Sequence, residues 1–372
     1  MPTEPTPLAP PAEDLPEDLL EDLSRFRFSW AALPAVSAEL PGSGGRIRAE
    51  PGDFRVSEVP LYEPSGGGSH AYALVEKEGL TTRDLVLALR QAGVPEKNVG
   101  VAGLKDKWAV TRQWLSVPNA SAAALDALES LAGVTVLARS RHKNKLGIGH
   151  LRGNLFTVRV RGAGADAAAR AEATLARLNE VGLPNYFGPQ RFGRFGTNAV
   201  DGLRLLRGER VTGDHRLKRF FLSALQSQVF NHLLALRLER GLYHRLVSGD
   251  WARKHDTGGT FLVEDAGAES PRAERLEVSA TLPLYGKKVK ESPGEAGEVE
   301  RAALEHFGLR PEDFRSRHGD RRLSRVRLAE LSLSPHEDGY TVRFFLPKGS
   351  FATSLLRELM KVDIDVLADV DS

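Results

Sequence analysis

The tightest constraint on this fold lies between Asn98 and Pro118, where the chain reads N-V-G-V-A-G-L-K-D-K-W-A-V-T-R-Q-W-L-S-V-P. Val99, Val101 and Leu104 read as a short buried strand, and Trp114, Leu115 and Val117 as another. The link between them, Gly103 to Lys107, places alternate side chains on opposite faces if it stays extended. Asp106 then turns away from Lys105 and Lys107 and shares a face with Trp108. A carboxylate aimed at an apolar, aromatic-lined face is costly unless it is paired. The alternative is an ordinary turn aspartate between two solvated lysines.

At 372 residues the chain is too long for one typical core, so two domains are expected. It contains no cysteine, which excludes disulfides, thiolate metal sites and cysteine nucleophiles, and suits a reducing cytoplasm. No apolar run approaches the roughly 20 residues of a membrane span. The N-terminus is acidic and proline-rich, unlike a secretory signal. The net charge of +2 hides an asymmetry: residues 1–23 carry seven of the 49 acidic residues and no Lys or Arg. The remainder sets 51 basic residues against 42 acidic ones. A basic body suits a polyanionic partner, although such a charge also simply aids solubility.

Residues 1–41 read as a loose leader, with room for a short amphipathic helix from Glu17 to Phe26, and Gly42-Ser43-Gly44-Gly45 marks a break. In the strand that follows, Phe54, Val56 and Glu58 fall on one face. Ala71 to Val75 reads as a strand, and Thr81 with Asp84 forms a capping box opening a helix that stops at Gly93. Residues 120–132 and 164–181 are alanine-rich and read as helices, with a strand from Val134 to Leu137. Arg139 to Lys145 is a basic cluster without an acid. Gly147, Gly149 and Gly153 have the wrong spacing for a dinucleotide fingerprint, and a strand rather than a helix follows them. Asn154, directly after Gly153, is compatible with a turn.

From Pro184 to Gly193 aromatics alternate with Arg and Gln, a mixture that can stack on bases while holding phosphate or pack a domain junction. Residues 197–240 read as helices. Two more basic runs follow, at Lys287, Lys288 and Lys290 and from Arg315 to Arg327. They suit phosphate contact or a solvated face. Tyr340 to Leu346 alternates as a strand, and Ser350 is a candidate N-cap for a helix running to Leu359. The aspartates between 363 and 371 lack the glycine and closing glutamate of a calcium loop and read as an acidic tail. There is no P-loop, no G-x-S-x-G and no H-E-x-x-H.

Taken together, A-G-L-K-D-K with A-V-T-R-Q-W, P-G-D-F-R-V-S-E, R-H-K-N-K-L with R-G-N-L-F, P-N-Y-F-G-P-Q-R-F-G and P-K-G-S-F-A-T resemble the tRNA pseudouridine synthase D family, from about Arg46 to Leu359. The resemblance implies an α+β fold: a pseudouridine synthase catalytic domain with a mixed sheet, split into 42–181 and 328–372. Between its parts lies an inserted, mainly helical α/β domain over 182–327. It implies a cytoplasmic, monomeric enzyme acting on tRNA, without cofactor or metal, that converts uridine 13 to pseudouridine. By resemblance Asp106 is the nucleophile and Arg48, where most relatives carry Lys, is the cation that keeps a buried Asp106 ionised. Phe54 packs against the flipped nucleotide and Asn154 contacts the substrate. Phe156 stands where most such synthases use Tyr, and Phe351 lies at the uracil. Two other readings stay open: an RNA-binding protein without turnover, and a hydrolase using Asp106 and Glu58 as a carboxylate pair.

Overall fold

A computed structural model describes residues 17–362 of the chain. In order come α1 (Glu17–Phe26), β1 (Phe54–Pro60), β2 (His70–Lys77), α2 (Thr82–Gln91), β3 (Gly100–Val101), β4 (Val110–Pro118), α3 (Asp126–Glu129), β5 (Val134–His142), β6 (Leu151–Arg161) and α4 (Ala167–Val181). Then follow β7 (Leu183–Pro184), α5 (Asn198–Leu206), α6 (His215–Glu239), β8 (Trp251–Lys254), β9 (Thr260–Leu262), α7 (Ala266–Glu274), β10 (Val278–Leu284) and α8 (Gly294–His306). The chain closes with β11 (Asp320–Leu323), β12 (Arg325–Val326), β13 (Ala329–His336), β14 (Gly339–Pro347) and α9 (Ala352–Met360). It is an α+β protein of two compact units, one spanning 35–186, 274–277 and 325 onward, the other comprising the residues up to 34, 187–273 and 278–324. The main crossings between units fall after Tyr186 and after Ser324, close to the expected 181 and 327, with further crossings after Pro34, Ala273 and Glu277.

The first unit is built on an eight-stranded mixed sheet in the order β13-β14-β6-β1-β4-β2-β5, with β3 added to β4. β1 and β4 are parallel, and the remaining pairs are antiparallel. Ala71, Ala73 and Val75 of β2 alternate inward and pack with Leu115 and Val117 of β4 and with Leu85 and Leu89 of α2. The capping box at α2 is formed: Thr81 N–H donates to the Asp84 carboxylate at 2.7 Å and Asp84 N–H to the Thr81 hydroxyl at 3.2 Å. A second apolar cluster joins β1, β6 and β14, with Phe54, Val56, Phe156, Val158 and Phe344, to α4 and α9. Gly153 is required by close approach, since a Cβ there would collide with the Leu346 carbonyl oxygen and the Phe345 ring of β14.

The other unit has a four-stranded antiparallel sheet, β11-β10-β8-β9. Its core gathers Leu225 and Val229 of α6 with Val200, Leu203, Leu304, Phe307 and Phe314. Asp214 caps α6 by accepting from Leu217 N–H at 2.8 Å.

Several expectations are corrected. The leader holds the short helix that its sequence allowed, α1, and Phe26 is buried in a core, so it is not loose throughout. Within the sheet unit, Ser37 bonds the buried Glu358. The acidic residues before Glu17 and the aspartates from 363 to 371 lie outside the described residues. Residues 120–132 form a 3-10 segment and only a single turn of α-helix. The N-cap position of α9 is Phe351, not Ser350, whose N–H instead closes a turn on Pro347.

Candidate active site

On one face of the sheet, between the two apolar clusters, the cross-strand partners turn polar. Lys77 pairs with Thr111 and Val75 with Gln113, and on the other side Val56 lies beside Thr111 and Glu58 opposite Asn154. Directly paired residues share a face, so Lys77, Thr111, Gln113, Glu58 and Asn154 form a polar seam. The loop from Ala102 to Ala109 lies over it, pinned along its length. Lys105 N–H donates to the Thr82 hydroxyl at 2.8 Å, which itself donates to Gln113 Oε1 at 2.8 Å. The Gln113 amide reaches the Gly103 carbonyl at 3.5 Å. The Lys77 ammonium donates to the Asp106 carbonyl at 2.8 Å and to that of Leu80.

This loop is bent, not extended, which reverses the expected assignment of its side chains. Leu104 is no strand residue and is 78% exposed, and Trp108 is 47% exposed. The inward position belongs to Lys105, whose ammonium lies 3.0 Å from Glu58 with both side chains buried. Burial pushes the Glu58 carboxyl above its ordinary value, against the opposing pull of Lys105 and a backbone hydrogen bond from Trp114. The Asp106 side chain is 68% exposed, so it is not the buried carboxylate expected from the alternation. Beside it opens a recess of about 490 Å³ lined by Thr81, Asp84, Leu104 and Lys107 among others.

Arg48 does meet Asp106. Its Nη2 lies 3.7 Å from Asp106 Oδ2, and its guanidinium sits 4.5 Å from the centre of the Phe54 ring. Arg48 has φ of +59°, the left-handed region, so its direction is set by an unusual backbone. Phe54 and Phe156 are core residues, 4% and 7% exposed, meeting edge to face at 6.2 Å, and Phe156 stacks on Phe344 at 5.2 Å. Asn154 is in β6, not in a turn, and its Oδ1 is buried without a hydrogen-bond partner. Such an acceptor is costly in a finished core and suits a ligand that donates. Phe351 follows β14, whose Leu346 pairs with Asn154 and Pro347 with Gly153. Contacts thus link Arg48, Asp106, Phe54 and Phe156, and strand register places Asn154 opposite Glu58, while Phe351 lies four residues beyond the end of β14 at the start of α9.

The basic runs divide. Arg139 is neutralised by Asp126 and Glu129, whereas Arg141 and Lys143 are exposed. Arg321 is not a surface cation: it is buried on Glu300 at 2.6 Å and also bonds Thr281, Ser292 and the Lys290 carbonyl. Arg325 is buried as well, donating to the Val181 carbonyl at 2.8 Å.

The sequence reading passed over Lys77. It falls in phase with Ala71, Ala73 and Val75, so the alternation already pointed it into the protein.

Comparison with known proteins follows the same lines. The model of the family described as tRNA pseudouridine synthase D (TruD) matches residues 34–213 and 211–359. The chain is similar to tRNA pseudouridine synthase D of Thermus thermophilus, 54% identical over 337 residues, covering 90% of this chain and 94% of the relative. It is 47% identical over 350 residues to that of Anaeromyxobacter dehalogenans, covering 91% and 99%. A crystal structure described as tRNA pseudouridine synthase D (TruD) from Methanosarcina mazei superposes with a TM-score of 0.71 at 24% identity, covering 89% of this chain and 96% of that one, a likeness of fold.

Proposed function

Since the chain belongs to the tRNA pseudouridine synthase D (TruD) family, we infer that it isomerises a uridine of tRNA to pseudouridine, at position 13, with Asp106 as the catalytic carboxylate. The N1–C1′ bond breaks, the uracil turns, and C5 bonds to C1′. N1 gains a proton and C5 loses one, so nothing is oxidised and no co-reactant is consumed. The observation that carries this reading is the exposed Asp106 carboxylate held 3.7 Å from the Arg48 guanidinium, which rests over Phe54.

A target base inside folded RNA must be extruded to reach such a group. An accessible carboxylate beside a recess suits that event better than a buried one. Arg48 supplies charge next to the carboxylate, Asn154 Oδ1 offers an acceptor, and Phe351 offers a ring for the detached uracil. Phe54 and Phe156 form the apolar floor. The hydrolase reading loses support because Glu58 is held by Lys105 and its side chain is 1% exposed, leaving it no water to activate.

The test is incubation with an unmodified tRNA transcript, followed by chemical mapping of pseudouridine. Wild type should modify position 13 alone. Asp106→Asn, isosteric and uncharged, should bind the transcript as wild type does and make no pseudouridine. Wild-type turnover in that variant removes Asp106 from the mechanism, and release of free uracil would identify a hydrolase.

A further inference from the structure

We propose that Lys77 is a positioning residue for Asp106: buried on the core face of β2, its ammonium holds the peptide that carries the reactive carboxylate and keeps a positive charge close to it. The inference rests on the reading of Asp106 as catalytic.

Lys77 is 0% exposed. Its Nζ donates to two carbonyls, that of Leu80 just beyond β2 and that of Asp106 at 2.8 Å. The other anchors described for the loop act on Gly103 and Lys105. Among the described residues, it is Lys77 that reaches the peptide of Asp106 itself. A neutral donor would satisfy two carbonyls, so the charge needs a separate reason, since an ammonium taken out of water is costly. The groups around it supply one. On β4 and β5 its partners are Thr111 and Val134, both uncharged. The charges it faces are Asp106 and Lys105 from the loop and Asp84 from α2. Burial pushes the ammonium down to about 8, with Asp106 and Asp84 pulling the other way and Lys105 adding to the fall. Lys105 is itself engaged by Glu58, 3.0 Å away. Lys77 is therefore charged at neutral pH and held close to the point of losing its proton, with Asp106 among the charges that keep it.

A loop displaced by an ångström loses on the order of 100-fold in rate without losing its ligand. Lys77→Met should thus lower the single-turnover rate of pseudouridine formation by about 100-fold while the Kd for tRNA stays within about twofold. The wild-type rate should fall as pH rises through about 8, and Lys77→Met should lack that alkaline limb. A single-turnover rate within about threefold of wild type overturns the proposal.

The second measurement needs neither substrate nor the Met variant. Lysine 13Cε resonances are titrated in wild type and in Asp106→Asn, with the Lys77 signal assigned by its absence from Lys77→Arg. The Lys77 midpoint should drop in Asp106→Asn, because a neighbouring negative charge has gone. An unmoved midpoint shows that Lys77 does not sense Asp106 and overturns the proposal even if Lys77→Met fails to fold. A wild-type protein that makes no pseudouridine sinks the functional reading instead, and the NMR arm still reports on the coupling.

Discussion

Lys105 and Asp106 are adjacent in sequence and opposite in environment: the Lys105 ammonium is buried 3.0 Å from Glu58, and the Asp106 carboxylate is 68% exposed. The buried ion pair holds the loop down so that the next side chain can face outward at a fixed place. A charge pair inside the protein adds little net stability, but breaking one side of it is expensive.

Either Glu58→Gln or Lys105→Met should accordingly destabilise the protein by about 3–5 kcal/mol, leaving one charge buried without its partner. The double variant Glu58→Met with Lys105→Met should melt above either single variant. Chemical denaturation of all four proteins checks this, and a double variant less stable than both singles would show that the pair contributes net stability.

Arg48 Nη2 lies 3.7 Å from Asp106 Oδ2, longer than a hydrogen bond. Charge and placement over Phe54 then matter more than bidentate geometry. Arg48→Met should lower single-turnover activity by about 10- to 100-fold, and Arg48→Lys should keep a substantial part of it. Equal losses in the two variants would point to the guanidinium plane rather than its charge.

Exposed Arg141 and Lys143 are the members of their basic run left to meet phosphate, Arg139 being occupied by two carboxylates. Replacing each with Gln should weaken tRNA binding and reduce the log–log salt slope by roughly 0.7–0.9 for every phosphate no longer neutralised. An unchanged slope identifies a merely solvated pair.

In the helical unit His232 and His306 stack at 3.9 Å. Burial, and then His306, push His232 down to about 4. The unfolded chain takes up this proton near the ordinary value of roughly 6.5. The fold resists it, so stability should fall as pH drops from about 6.5 towards 4, by about 3 kcal/mol at most. His232→Leu should flatten that part of the curve of melting temperature against pH. A curve identical to that of wild type would show that other groups set the acid limb.

Much of this was legible from local rules. The alternation that sets Phe54, Val56 and Glu58 on one face, the Thr81–Asp84 box and the strand around Gly153 all depend on near neighbours in sequence. Failures came where a distant residue decides. Nothing near Lys105 in the chain announces Glu58, so the alternation put the wrong member of the Lys105–Asp106 pair inside. Arg321 looks like one of a basic run until Glu300, on α8, is brought to it. Lys77 was different: its signal was local, but it lay beyond the last apolar residue of the strand.

The sheet order also has a consequence for how the chain is made. β6 emerges from the ribosome early, but β14, its partner on one edge, begins only at Gly339. Until then one side of β6, with Gly153 bare of a side chain and Asn154 beside it, is an open strand edge that another nascent chain can pair with. The corner around Gly153 and Asn154 is thus among the last parts of the sheet to close, and a chain truncated before β14 exposes this edge for aggregation rather than giving a merely weakened protein.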